Sequence, residues 1–227
     1  LTTTYRHIAQ MHNNNWLDFF LTAAAEAGTI LTRQQGELFL RYMQEMLDWN
    51  KTTNITRIIE PQAVAIKHFL DSILIARYID TASKTIADVG SGAGLPGIPL
   101  AILDPASRIV LMESVGKKCA FLKHAVRTLG LSNVEVYNGR AESWPEPGSF
   151  DLAVSRAIAS LEGCSAVCRP LIKRQGAIVC MKGRLPVDEI AGLQKRKNPG
   201  FAIDSHSYSL PEHAGERSLV ILRTCFT

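Results

Sequence analysis

With 227 residues, 46% hydrophobic and 20% charged, the chain has enough length and apolar content for one sizeable α/β domain with an appendage, or for two small domains. No apolar run approaches 18 residues and Leu1–Asn15 is mostly polar and lacks a continuous apolar stretch, so neither a membrane-spanning helix nor a secretory leader is expected. The net charge of +4 is modest, but the basic residues cluster, and such clusters can steer a polyanion.

The sequence begins at Leu1 rather than at a methionine, and Met11 is a candidate native start. As far as about Asp80 the pattern is helical. Trp16, Leu17, Phe19, Phe20 and Leu21 lead into an alanine run that stops at Gly28. Thr32-Arg33-Gln34-Gln35 has the form of a capping box, and behind it Leu38, Tyr42, Met46 and Trp49 recur at three- and four-residue intervals as one buried stripe. Asn50–Arg57 is a polar break, after which Pro61 opens a third helix carrying Ile66, Phe69, Leu70, Ile73 and Leu74. Residues 1–80 are therefore expected to form a helical appendage, a cap or substrate-binding unit, on a core comprising residues 81–227.

From Thr85 the period changes. Strands are predicted at Ile86–Val89, Arg108–Met112, Val134–Asn138, Leu152–Ser155, Gly176–Met181, Ala202–Tyr208 and Leu219–Thr224. Helices at Leu95–Leu103, Lys117–Leu129, Leu161–Leu171 and Val187–Leu193 lie between most of them. Such alternation predicts a mostly parallel sheet covered on both faces. The last two strands have no helix between them and are expected to pair antiparallel around Pro211–Arg217.

Five cysteines (Cys119, Cys164, Cys168, Cys180 and Cys225) contain no C-x-x-C pair. Cys164 and Cys168, four apart on one predicted helix, are too few ligands for zinc, so reduced structural thiols in a cytoplasmic protein are expected, with no metal. One basic cluster gathers Arg169, Lys173, Arg174, Lys182, Arg184, Lys195, Arg196 and Lys197; another gathers Lys117, Lys118, Lys123, His124 and Arg127. Either can be a solvated face, or can neutralise phosphates.

The most informative stretch is Ile86–Ile98. A strand ends in Asp88, a glycine-dense turn follows, and an apolar segment with helical spacing begins. Two registers are open. Gly92-Ala93-Gly94-Leu95-Pro96-Gly97 satisfies the dinucleotide pattern G-x-G-x-x-G, whereas Gly90-Ser91-Gly92-Ala93-Gly94 fits the G-x-G-x-G loop of adenosylmethionine-dependent methyltransferases. The strand runs directly into Gly90, which makes Gly90 the first glycine of the turn and leaves Leu95 where the dinucleotide pattern needs glycine. In this reading Pro96 lies in the first turn of the new helix, whose free N–H groups face a ligand.

In a doubly wound sheet ligands bind beyond the carboxyl ends of the strands. The second strand ends at Glu113, 23 residues after Gly90, the interval expected of an acid that accepts ribose hydroxyls in either cofactor class. The third ends near Gly139-Arg140-Ala141-Glu142, where Ala141 can let an adenine ring approach the backbone and Glu142 can offer a hydrogen bond; a simple strand-to-loop turn is the equal alternative. The fourth ends at Ser155-Arg156, where a guanidinium is suited to a carboxylate or phosphate. A structural pairing of Arg156 with Glu142 or Asp151 is the alternative.

Asp88-Val89-Gly90-Ser91-Gly92-Ala93-Gly94-Leu95-Pro96-Gly97-Ile98-Pro99-Leu100 resembles the signature of the RsmG family, also called glucose-inhibited division protein B. The likeness continues through Glu113-Ser114-Val115-Gly116-Lys117-Lys118, Gly139-Arg140-Ala141-Glu142 and Phe150-Asp151-Leu152-Ala153-Val154-Ser155-Arg156-Ala157. It also includes Trp49-Asn50-Lys51-Thr52-Thr53-Asn54-Ile55-Thr56, His68-Phe69-Leu70-Asp71-Ser72 and Gly215-Glu216-Arg217, in order, from about residue 15 to about 224.

The resemblance implies a class I methyltransferase (Rossmann-like) fold: a seven-stranded, mostly parallel sheet with helices on both faces and an N-terminal helical appendage. It implies methyl transfer from S-adenosyl-L-methionine to N7 of a guanine in 16S ribosomal RNA. The substrate would be the RNA, the 30S subunit or its assembly intermediate, with no obligate protein partner. Cofactor contacts would fall on Gly90, Gly92, Leu95, Glu113, Ala141, Glu142 and Arg156. Leu95 stands where the family often has Phe. Arg156 is the expected catalytic residue, orienting the methionine carboxylate or the incoming base, and Lys117, His68 and Arg217 are expected along the RNA approach. Guanine N7 carries an in-plane lone pair and no proton, so no general base is required, and alignment with exclusion of water would carry catalysis. Rival readings are a methyltransferase of another substrate, an NAD-dependent oxidoreductase and a non-catalytic RNA-binding module.

Overall fold

The computed structural model describes the backbone of residues 2–156, 158–195 and 200–224, with side chains from residue 13. Ala157, Arg196, Lys197 and Cys225, all invoked above, lie outside the described residues, as does the side chain of Met11.

Strands β1 (Thr85–Val89), β2 (Arg108–Glu113), β3 (Val134–Asn138), β4 (Phe150–Ser155), β5 (Ile172–Lys182), β6 (Phe201–Leu210) and β7 (Gly215–Thr224) form one sheet. Their order is β3-β2-β1-β4-β5-β7-β6. The first five strands run parallel, β1 lying between β2 and β4, with Asp88 opposite both Leu111 and Val154. β7 lies antiparallel between β5 and β6. The hairpin expected at the end of the chain is formed, and Glu212 and His213 turn it with φ values of 55° and 51°.

Period-2 alternation divides the sheet's side chains between two cores. Ile86, Ile109, Leu111, Leu152, Val154, Val179 and Ile221 point to one face, and Ala87, Val89, Val110, Ala153, Ile178 and Val220 to the other. The second face is covered by α7 (Leu161–Cys168) and α8 (Val187–Gln194). The first is covered by α5 (Gly97–Leu103), by α6 (Gly116–Leu129) and by the N-terminal helices α1 (Thr2–Glu26) and α2 (Arg33–Asn50).

These N-terminal helices share one continuous apolar cluster with the sheet. An aromatic chain runs from Trp16 through Phe20, Phe39, Phe69 and Tyr42 towards Phe121 of α6, with successive ring centroids 5.0–6.5 Å apart. Burying rings of this size supplies much of the adhesion between the helices and the sheet. The capping box at Thr32 forms as its residue types dictate: Gln35 N donates to Thr32 Oγ1 at 3.2 Å and Thr32 N to Gln35 Oε1 at 2.9 Å. The Gln35 amide also donates to Ile102 O and Leu103 O, so one side chain satisfies the start of α2 and the end of α5.

The third predicted helix departs from regularity. It begins as α3 (Pro61–Val64), widens into a π turn (Ala65–Leu70), and continues as α4 (Asp71–Ile73) and a 3-10 turn (Leu74–Arg77). Its apolar stripe is buried as expected, but His68 and Asp71 are buried with it, at 7% and 1% exposure. A π turn carries one extra residue per cycle, which re-aims side chains and backbone carbonyls. α7 also ends earlier than predicted, at Cys168, because Pro170 cannot continue it. Cys119, Cys164, Cys168 and Cys180 are buried free thiols.

Candidate active site

A cleft of about 200 Å³ opens at the carboxyl ends of β1 and β4, where the strand order reverses direction. Gly90, Ser91, Gly92, Ala93 and Leu95 of the β1–α5 loop form one wall; Ile55, Thr56, His68 and Arg156 form the other.

The loop takes its shape from its own backbone and from two buried acids. Gly90, Gly92 and Gly94 have φ values of 75°, 59° and 88°, the left-handed region that glycine enters without steric cost. Gly90 N and Ser91 N both donate to Met112 O, and Gly94 N and Leu95 N both donate to Ser91 O. A Cβ on Gly92 would meet nothing nearer than Gly90 O at 3.8 Å. One on Gly94 would lie 2.5 Å from Ile98 Cδ1 and 2.8 Å from the Tyr42 hydroxyl, which itself donates to Ala93 O. Helix α2 is thus bonded directly to the loop.

Glu113, 6% exposed, joins the loops after β1 and β2. Its Oε2 accepts from Gly92 N at 3.0 Å and its Oε1 from Val115 N at 2.9 Å, while its carbonyl accepts from Gly139 N at 3.0 Å. Each carboxylate oxygen retains a second lone pair. Ala141 and Glu142 form a 3-10 turn (Ala141–Ser143) just beyond that Gly139 contact; they stand outside the cleft walls, Ala141 buried and Glu142 exposed.

Asp88 corrects one expectation. The helix after the glycine loop begins at Gly97, with Pro96 before it rather than inside its first turn. Its amide groups do not face a ligand: Gly97 N donates to Asp88 Oδ2 at 2.9 Å, Ile98 N to Gly94 O, and Leu100 N to Pro96 O. The place where a dinucleotide's pyrophosphate would sit is taken by a side chain of the protein itself. Burial raises the Asp88 pKa to about 7 against the lowering effect of the Gly97 hydrogen bond. The site suits a nucleoside that carries no phosphate.

Arg156 is held by the irregular helix. Its Nη2 donates to Lys67 O at 2.8 Å, which the π turn presents, and lies 3.6 Å from Asp71 Oδ2; its Nη1 lies 3.5 Å from His68 Nδ1. Neither Glu142 nor Asp151 is its partner, contrary to the structural alternative above. Asp151 binds Thr85 and Lys173 instead, at 2.6 and 2.8 Å. His68 Nε2 is 2.8 Å from Thr56 Oγ1, and burial together with the charge of Arg156 lowers the His68 pKa to about 4, so its ring is neutral at neutral pH.

Asp71 gathers the remaining partners. Its Oδ1 accepts from the Tyr208 hydroxyl at 2.8 Å and its Oδ2 from Arg217 Nε at 3.3 Å. Of the three residues expected along the RNA approach, His68 and Arg217 are drawn into this partly buried network, whereas Lys117 is exposed in the first turn of α6. The structure brings Gly90, Gly92, Leu95 and Arg156 together around one cleft and attaches Glu113 to it through Gly92.

The family model described as rRNA small subunit methyltransferase G matches residues 35–219. The chain belongs to the rRNA small subunit methyltransferase G family. Curated relatives of that name include one from Xylella fastidiosa (strain M23), 42% identical over 185 residues, covering 81% of this chain and 84% of the relative. Another, from Salmonella newport (strain SL254), is 38% identical over 201 residues and covers 88% and 94%.

Solved structures place this family member's fold among adenosylmethionine-dependent methyltransferases. A SAM dependent methyltransferase from Aquifex aeolicus superposes with a TM-score of 0.58 at 15% identity, over 76% of this chain and 98% of that one. TYW2 from M. jannaschii in complex with AdoMet gives 0.54 at 14% identity, over 74% and 77%. The fold expected from the RsmG resemblance is the fold observed.

Sequence reasoning in this methyltransferase G chain missed Tyr42, Thr56, Asp71 and Tyr208. Tyr42 sat in a regular apolar stripe and read as core. Asp71 did leave a signal: an acid flanked by Leu70, Ile73 and Leu74 needs buried partners if the helix packs. Its cationic partners were 85 and 146 residues away, beyond any local pattern.

Proposed function

We propose that this chain transfers a methyl group from S-adenosyl-L-methionine to N7 of a guanine in small-subunit (16S) ribosomal RNA. The substrate is that RNA alone, or within the 30S subunit or its assembly intermediate, in the cytoplasm. Membership of the methyltransferase G family supports the reaction and its RNA. The position of Asp88 at the Gly97 amide carries the choice of cofactor, because it leaves no seat for a pyrophosphate.

When bound, the cofactor supplies an electrophilic methyl on a sulfonium. The residues here hold and orient it. Gly90, Gly92 and Leu95 let it approach the loop backbone, and the free lone pairs of Glu113 accept ribose hydroxyls. Ala141 and Glu142 border the adenine end. Arg156, whose side chain is 26% exposed, retains donors for the methionine carboxylate.

No residue is required to remove a proton from guanine N7, and the neutral ring of His68 fits a wall that excludes water and fixes Arg156. Lys117 contributes charge to the RNA approach from the exposed turn of α6; Arg217 acts on the same approach through Asp71. The test is to map N7-methylguanine in small-subunit RNA from cells with and without the gene. Loss of one such modification, restored by the chain but not by its Arg156→Ala variant, is the expected result. An unchanged modification map would refute the reading.

A further inference from the structure

A larger cavity, about 710 Å³, adjoins the cleft. It lies between the loop joining α2 to α3 and the first turn of α6. It shares Ile55 and Thr56 with the cleft. Its volume falls in the range of small-ligand sites.

The lining combines three features. Ile59 is 65% exposed, one of few large apolar side chains turned to solvent. Arg57 is exposed and has no ion pair among the described residues. Lys118 reaches the same space, and its nearest acid, Glu113 at 3.9 Å, already receives the Gly92 and Val115 amides.

The loop carrying Arg57 and Ile59 is held from behind. Asn50 Oδ1 accepts from Ile55 N at 2.8 Å and Thr56 N at 3.0 Å, and Thr56 Oγ1 accepts from Ile58 N at 3.1 Å while contacting His68. An aliphatic side chain and two cations lining one cavity, beside a braced loop, match a nucleotide: the base lies against Ile59 and the phosphate meets Arg57 and Lys118.

We infer that this cavity seats a nucleotide of the RNA substrate next to the guanine that is methylated. The inference rests on the proposed function, and it gives the RNA a second point of attachment, separate from the cofactor, that sets the register of the target base. Arg57 and Ile59 are positioning residues in this account; neither touches the transferred methyl.

The full chain would be assayed with labelled cofactor and small ribosomal subunits lacking the N7 methyl, using Arg57→Glu and Ile59→Asp singly and together. Arg108→Glu, at the amino end of β2, serves as a charge-reversal control. Arg57→Glu should raise the KM for subunits on the order of tenfold with kcat nearly unchanged, and Arg57→Gln should lower the slope of log KM against log salt by about one. Cofactor Kd and the thermal midpoint should match the parent chain. A KM within about twofold of the parent would overturn the inference, and a parallel loss of cofactor affinity would assign the cavity to the cofactor and overturn it too. If the parent chain methylates neither subunits nor the protein-free small-subunit RNA, the proposed function has failed; filter binding of that RNA by the same variants then tests the seat independently, with equal affinities counting against it.

Discussion

Asp88 Oδ2 accepts the Gly97 main-chain N–H at 2.9 Å, so a buried carboxylate does for this helix what a phosphate does in a dinucleotide site. The arrangement requires glycine at 97: a Cβ there would lie 2.7 Å from Asp88 Oδ2 and 3.1 Å from Asp88 Cβ, with Leu111 closer still. Gly97→Ala is expected to cost about 2 kcal/mol or more, because both neighbours are buried and neither has room to retreat. Urea denaturation at neutral pH measures this, and a loss below about 0.5 kcal/mol would mean the contact relaxes freely.

Asp88 and His68 titrate against each other. Burial raises the Asp88 pKa in the folded state from 3.8 to about 7, so its contribution to stability is whole below about pH 4 and lost as pH rises to 7. For His68, burial and Arg156 lower the value from 6.5 to about 4, so its contribution is present above 6.5 and lost as pH falls towards 4. The two windows coincide with opposite sign. Asp88→Asn should uncover a rise in stability with pH between about 4 and 7, and His68→Gln a fall, each relative to the parent chain. Profiles parallel to the parent in both variants would exclude titration of these groups in that window.

Asp71 is 1% exposed and shared by Tyr208, Arg217 and Arg156. Removing one partner of a buried charge network is costly because the others are left uncompensated, so Asp71→Ala is expected to destabilise by about 3–5 kcal/mol. Tyr208→Phe removes a single hydrogen bond and should cost about 1 kcal/mol. Asp71→Asn keeps the volume but releases Arg156, and it should raise the KM for cofactor more than it lowers kcat. A cofactor KM equal to the parent's would show that Arg156 holds its place through Lys67 O alone.

Gly92→Ala separates binding from folding. The new methyl meets no protein atom within 3.8 Å, so the cost is that of a left-handed φ, about 1 kcal/mol. It nevertheless narrows the approach to the loop, and isothermal titration should find cofactor affinity at least tenfold weaker while the fold persists. Full affinity would mean that the cofactor does not pass over Gly92.

Glu113→Gln should also weaken the cofactor, for a different reason. An amide can accept from only one of Gly92 and Val115 and turns its NH₂ towards the other. The expected loss is about 1–3 kcal/mol of binding, read by the same titration. An unchanged affinity would remove Glu113 from the ribose contact.

The strands, the capping box at Thr32, the terminal hairpin and the loop at Gly90 were legible because each depends on residues close together in the chain. Alternation marks a half-buried strand, and a glycine cluster after a strand marks a turn with positive φ. The glycine register was legible too, since Val89 runs straight into Gly90. The π turn at Ala65–Leu70 was not: its sequence keeps an ordinary apolar stripe, and the partner of its Lys67 O, Arg156, comes from 89 residues away.

By itself the sequence determined the class of fold and the loop, because local patterning and short-range hydrogen bonding suffice for them, and its motifs carried the resemblance to the family. Only the tertiary structure decided that the helix N-terminus is filled by Asp88, that His68 and Arg217 turn inwards, and that Arg156 pairs with Asp71. Buried polar groups must find partners wherever the packed chain supplies them, and for these residues the partners come from other elements of the fold.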